Sequence, residues 1–376
     1  MRVGLVLATA LLPASLFAAP PVEPAKSVDV VLCLDVSSSM DGLVDSAKRR
    51  LWTVVNDLAK VEPTPGLRVA LYSYGNNSYN AARGWVRKET DLTTDLDQVY
   101  KQLNTLRIAS PNSDEYVARV TRDALTELKW SDDKNALRLI FVCGNEPADQ
   151  DKTVSLESVA ALAKEKGVVI NTIYCGPASA PEAAGWSAFA SRCGGKYANI
   201  DQDKAKADVV IKTPFDEEIA KLGTKINETY LWYGAFGAER RANQLAQDGA
   251  AKRVAGDVEV DRSETKASRL YRHAEADLID RMQAEKDFDL KKIKESDQPE
   301  QLKKLKPEER EPYLKKKAAE RTEIQKKVAD LSAQRALYIE AERKKLPKPP
   351  AEKALDEALR AILKDQAAAK GMKVKE

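Results

Sequence analysis

The chain holds a single histidine, His273, and that scarcity removes whole classes of chemistry. A zinc site or a thiol-redox centre draws on several His and Cys side chains. Here the four cysteines, Cys33, Cys143, Cys175 and Cys193, are scattered, and no Cys-x-x-Cys occurs. No Gly-x-Ser-x-Gly elbow marks an activated serine, and one imidazole leaves little general-base chemistry. The glycine-bearing stretches "GLRVALYSYG" and "CGPASAPEAAG" lack phosphate-loop spacing and read as turns. His273 reads as a surface residue of a charged helix. The chain is therefore expected not to be an enzyme.

Charge of one sign is missing too. Sixty-one Lys+Arg against 58 Asp+Glu leave a formal net charge of +3 over 376 residues, no ground for nucleic acid or an anionic membrane as partner. The one long apolar run is at the start, where Arg2 precedes "VGLVLATALLPASLFA", too short to span a bilayer comfortably and ending in small residues. This reads as a signal peptide over 1–18, followed by a proline-rich linker over 19–27. The mature chain is expected to be secreted or periplasmic, with no transmembrane segment, in a compartment where disulfides can form.

Length allows two folded units. From Val28 to about residue 211, apolar runs alternate with helical patterns, as parallel strands joined by crossover helices do. The strands are "VDVVLCLDV", "LRVALYSYG", "GWVRKET", "ALRLIFVCG", "VVINTIYCG" and "KYANI". They predict an α/β domain over 28–214, a doubly wound, mostly parallel six-stranded sheet.

Strand signals then stop. An all-α, charged helical region is expected over 215–346, with a long solvated helix between 301 and 345, where Arg321 and Arg335 interrupt any heptad seam. Pro347, Pro349 and Pro350 cannot continue it, so 347–376 reads as a charged, partly disordered tail. Apolar positions in this half are sparse. Its helices are expected to lean on the α/β body through Ile219, Leu222, Ile226, Tyr230 and Tyr233, with the aromatic group Tyr230, Trp232, Tyr233 and Phe236 at that contact.

The stretch "DVVLCLDVSSSMDG" carries the chemistry. A buried strand ends on Asp35, and Ser37, Ser38 and Ser39 follow in a loop ahead of an amphipathic helix. In parallel α/β sheets, ligands sit outside the C-terminal strand ends. One carboxylate with two hydroxyls spaced two residues apart offers hard oxygen donors that suit Mg2+ or Mn2+.

Asp35-Val36-Ser37-Ser38-Ser39 resembles the Asp-x-Ser-x-Ser signature of the von Willebrand factor A domain, whose metal-ion-dependent adhesion site lies there. The resemblance covers about residues 26–211. It implies a second-loop hydroxyl, for which Ser113 in "SPNSDEYVARV" stands with Asp114 beside it. It also implies an aspartate after the fourth strand, a position that here is Asn145 in "LIFVCGNEPADQD", with Glu146 or Asp149 nearby. The implied function is a divalent cation whose open position takes a carboxylate of a protein partner. A structural scaffold, with a degenerate site and contacts made by the helical half, is the alternative. The helical half itself looks like the tail attached to this domain in a group of exported bacterial proteins. In the resembled fold, Cys33 and Cys143 lie on neighbouring parallel strands, where disulfide geometry is poor, so both are expected as buried thiols. Cys175 and Cys193 flank a loop and helix and are expected to be bonded.

Overall fold

The computed structural model describes residues 27–62, 64–109, 114–200, 210–345 and 355–374. The expected signal peptide, nearly all of the linker, and Pro347, Pro349 and Pro350 lie outside the described residues. In chain order the first half runs β1 (Ser27–Asp35), α1 (Asp41–Ala59), β2 (Val61–Glu62), β3 (Gly66–Tyr74), β4 (Val86–Thr93), α2 (Leu96–Thr105), α3 (Val117–Glu127), β5 (Leu137–Gly144), α4 (Leu156–Lys166), β6 (Val169–Tyr174), α5 (Glu182–Arg192) and β7 (Tyr197–Asn199). Six of these strands form one sheet in the order β4-β3-β1-β5-β6-β7. All its pairings are parallel except that of β4 with β3.

Strand order positions the site. The chain builds outward from β1 to β3 and β4, then returns to lay β5 on the other side of β1. The order therefore reverses between β1 and β5, which leaves a crevice above their C-terminal ends. β1 is buried on both faces, as its apolar run requires. Val30, Leu32 and Leu34 pack toward α1 and α2, while Val31 and Cys33 pack toward α3, α4 and α5. Its buried Asp29 is answered by Arg68, whose Nε and Nη2 donate to the carboxylate at 2.8 and 2.7 Å.

All four cysteines are free and buried. This agrees with the expected Cys33 and Cys143 thiols and corrects the expected Cys175–Cys193 bond. Cys175 packs on the α1 side of the sheet and Cys193 on the α4 side, so the sheet lies between their sulfurs.

The second half forms α6 (Asp216–Lys225), α7 (Gly237–Val254), α8 (Gly256–Ala267), α9 (Leu278–Ala284), α10 (Glu300–Lys303) and α11 (Pro307–Arg343). α8 joins the halves through polar groups. Thr53 Oγ1 donates to Asp261 Oδ2 at 2.6 Å, Asn56 Nδ2 to the Asp261 carbonyl at 2.9 Å, and Thr265 Oγ1 to Asn56 Oδ1 at 2.7 Å. The buried Arg262 pairs with Asp97 and Asp248 and lies 4.6 Å over the Trp52 ring.

The aromatic group is not at this seam, which corrects the sequence expectation. Ile219, Leu222, Ile226 and Tyr230 pack with Val260, Tyr271, Ile324 and Val328 inside the helical half, and Leu231 and Tyr233 join a second cluster there. Phe236 is exposed. The helical half thus has apolar cores of its own, because α8 and α11 supply partners that a segment-by-segment reading treats as solvated. Arg321, read as an interruption, is the buried centre of α11: it donates to Asp277 and Asp280 at 2.7 and 3.0 Å. His273 is also buried, between the Tyr230, Trp232 and Tyr271 rings, where burial lowers its pKa.

The described part of the expected tail is ordered structure. α12 (Leu355–Ala369) buries Ala358, Leu359, Ile362 and Leu363 in the core beside α1, and β8 (Lys373–Val374) pairs antiparallel with β2. α11 ends at Arg343, and the apolar spacing of "ALRAIL" further on builds a helix with one buried face.

Candidate functional site

The loop after β1 is shaped by hydrogen bonds from its own residues. Ser37 N donates to Asp35 Oδ1 at 2.8 Å, and Met40 N to the Ser37 carbonyl at 3.0 Å, which turns the chain into a short 3-10 segment and then α1. Val36 N still pairs with the Tyr74 carbonyl at 2.9 Å, and the Val36 carbonyl accepts from Ala109 N at 2.8 Å. These bonds fix the loop against β3 and the segment after α2.

Asp35 and Ser37 are fully buried, and Ser39 is exposed. The Ser37 and Ser39 hydroxyls are 3.1 Å apart. Ser39 Oγ also donates to Asn145 Oδ1 at 3.2 Å, so the β1 and β5 loops meet at the crevice mouth. Two glycines make the close approach possible. A Cβ on Gly144 would lie 2.5 Å from Tyr74 Oη and 3.1 Å from Asp35 Oδ2. Gly75, at φ +79°, would place a Cβ 2.8 Å from Asp35 Oδ1 and 3.0 Å from Glu115 Cγ, a position that needs glycine on both counts.

Glu115 is the residue that sequence reasoning missed. It is buried, its backbone N donates to Gln150 Oε1 at 2.9 Å, and its carboxyl lies within hydrogen-bonding reach of Asp35. Burial is the largest cause of an upward shift at both carboxyls; the Asp35 charge raises Glu115 further, while at Asp35 the hydrogen bond with Glu115 and those with Ser37 partly offset the rise. Asp35 Oδ2 and Glu115 Oε2 are buried without a hydrogen-bond partner. Buried polar oxygens are nearly always satisfied, so two adjacent unpartnered carboxylate oxygens stand out. The residues present therefore fit a hard divalent ion.

The other expected ligands divide. Asn145 is at the site, half-buried. Ser113 lies outside the described residues. Asp114 is exposed and accepts from Tyr116 Oη at 2.9 Å. Glu146 is exposed at the rim, where its charge is felt by both Asp35 and Glu115, and its carbonyl accepts from Trp186 Nε1 at 2.8 Å. Asp149 is exposed beside a groove of about 550 Å³ between the β5–α4 loop and α5. Among the described residues, no three His, Cys, Asp or Glu side chains gather as a metal cage. The donors here are two carboxylates and two hydroxyls. A signal for Glu115 existed: in "SDEYVARV" it is the acid directly before the amphipathic stripe of α3, but Ser113 and Asp114 drew the assignment.

Residues 29–199 match the family model described as von Willebrand factor type A domain. No curated protein matches the chain. Among solved structures, proximal thread matrix protein 1 from the mussel byssus is 15% identical, with a TM-score of 0.36. The match covers 48% of this chain and 43% of that chain, so under half of the mussel protein is spanned. The SpRpn10 VWA domain is 16% identical, with a TM-score of 0.36, over 47% of this chain and 88% of that one. A von Willebrand factor type A structure from Catenulispora acidiphila is 13% identical, with a TM-score of 0.35, over 48% and 40% of the two chains.

Proposed function

We propose, from the match of residues 29–199 to the von Willebrand factor type A model, that the chain is a protein-binding module, for adhesion or assembly, whose recognition face is the crevice above β1 and β5. Asp35, Ser37 and Ser39 hold a divalent cation, Mg2+ or Mn2+, and a carboxylate of the protein partner completes its coordination. The site binds and does not turn over. The signal-like opening supports the further reading that this activity lies outside the cytoplasm, in the secreted or periplasmic space of a bacterial envelope.

The observation that carries the reading is the orphaned Asp35 Oδ2 beside two serine hydroxyls at a topological switch point. The seam with the helical half supports it. Thr53 and Asn56 meet α8 about 18 Å or more down the α1 axis from Asp41, at 1.5 Å per residue, so these contacts do not reach the Ser37–Ser39 loop. Among the described residues no helix is long and apolar enough to cross a membrane.

Calorimetry of the full chain with Mg2+ and Mn2+ tests this. One site is expected, and the double variant Ser37→Ala, Ser39→Ala should lose it. Equal binding by parent and variant would remove the cation from these residues. Asn145, standing where the resemblance implies an aspartate, favours the second reading: a scaffold with a degenerate site, whose helical half makes the contacts. A parent chain that binds neither ion at millimolar concentration would select that reading.

A further inference from the structure

We propose that Glu115 is the second carboxylate of the cation site, supplying from the loop before α3 the charge that position 145 lacks. This rests on the cation reading above and adds to it a ligand that the sequence motif does not contain.

The chain itself provides the comparison. Its other deeply buried carboxylates are met by arginine: Asp29 by Arg68 at 2.7 Å, Asp151 by Arg119 at 2.8 Å, and Asp277 by Arg321 at 2.7 Å. Among the described residues, neither Asp35 nor Glu115 has a Lys or Arg ion-pair partner. The α3 arginine closest in sequence, Arg119, is committed to Asp151 through two hydrogen bonds. Two acids are thus buried at 0% and 3% exposure, side by side, each with an unpartnered oxygen. Burying such a pair is unfavourable unless a positive charge lies between them or one acid stays protonated.

The backbone is arranged to keep them together. Gly75 leaves open the space next to Asp35 Oδ1 and Glu115 Cγ that any side chain would fill. Gln150 holds the Glu115 backbone N, and the Glu115 carbonyl accepts from Val117 N at 3.0 Å, which sets the side chain at the start of α3. All the donors are oxygen, so the ion is a hard divalent cation, with Asp35 and Glu115 supplying the charge and Ser37 and Ser39 supplying neutral hydroxyls.

The test uses the full chain, Mn2+ and Mg2+ alone as probes, calorimetric affinity, and melting temperature with and without EDTA. Glu115→Gln should lower Mn2+ affinity at least tenfold and, in EDTA, should melt higher than the parent, because a repelled buried carboxylate is gone. Glu115→Asp, one methylene shorter, should bind with intermediate affinity; it carries the test should the glutamine variant fail to fold. A purely structural Glu115 predicts the opposite pair of results: a lower melting temperature in EDTA and unchanged affinity. If Ser37→Ala, Ser39→Ala abolishes binding while both Glu115 variants bind like the parent, Glu115 is not a ligand and the cation reading stands. If the parent binds neither ion, both fail.

Discussion

Asn171 and Gln366 exchange amide hydrogen bonds of 3.1 and 2.7 Å across 195 residues, which clamps the last helix, α12, to strand β6. With Ala358, Leu359, Ile362 and Leu363 buried against α1, this makes the chain's C-terminal helix a structural part of the first domain. Leu363→Ala is expected to cost about 2–4 kcal/mol, within the range for truncating a buried leucine. Chemical denaturation would show it as a lowered midpoint. A variant as stable as the parent would mean that α12 does not pack here.

The Arg119–Asp151 pair makes stability depend on acid. Burial pushes the Asp151 carboxyl up, but hydrogen bonds from Arg119 and Thr153 win and hold it down to about 2. Its unfolded value is about 3.9, so the pair's contribution is fully present above that pH and is lost as pH falls toward 2. Allowing for solvent screening at an accessible arginine, that loss is about 1 kcal/mol. Denaturant melts between pH 5 and pH 2 should show the parent falling more steeply than Asp151→Asn. Parallel curves would assign the acid response to other groups.

Arg321 is enclosed by Asp277, Asp280 and Thr229 and lies 4.0 Å from the Tyr230 ring centroid. Arg321→Met would leave the buried Asp277 without its cation and Asp280 with Arg272 alone. A loss of about 3–5 kcal/mol is expected, seen as early unfolding of the helical half in hydrogen exchange. Little change would show that the aspartates relax to solvent.

Gly75→Ala tests the cradle. At φ +79° an alanine is strained by about 1–3 kcal/mol, and its methyl enters the space beside Asp35 and Glu115. Both a lower melting temperature and weaker Mn2+ binding are expected. Undiminished binding would mean that the two carboxyls do not need this approach.

The cysteines offer a chemical check. Native protein should resist alkylation, and denatured protein should label at Cys33, Cys143, Cys175 and Cys193, seen as four added masses. A Cys175–Cys193 peptide pair by mass spectrometry would contradict their placement on opposite faces of the sheet.

Much of the first domain could be read along the chain, because its signals are local. The run ending at Asp35 is buried on both faces and had to be an inner strand. The helical stripe after Ser39 was as plain, and the spacing of Asp35, Ser37 and Ser39 already carried the oxygen-donor chemistry. Asn145, which directly follows a continuous apolar strand, could be located along the chain in the same way, and its Oδ1 accepts from Ser39.

Tertiary structure decided what depends on partners distant in sequence. Glu115 is an ordinary acid in "SDEYV" until the fold brings it against Asp35 over Gly75. Cys175 and Cys193 are close in number, yet a sheet divides them, because Cys175 packs on one face and Cys193, at the C-terminal end of α5, on the other. Arg321 and His273 read as solvated in a charged stretch, and only the packing of α8, α9 and α11 around them shows that they are buried. Residues after the prolines read as a loose tail until α1 and β6 offer a surface. Local pattern thus determined which segments are strands and helices and where the first oxygen donors lie, since periodicity and spacing act within a few residues. Burial, charge pairing and the second carboxylate were settled by folding, because these energies depend on groups that only the fold brings together.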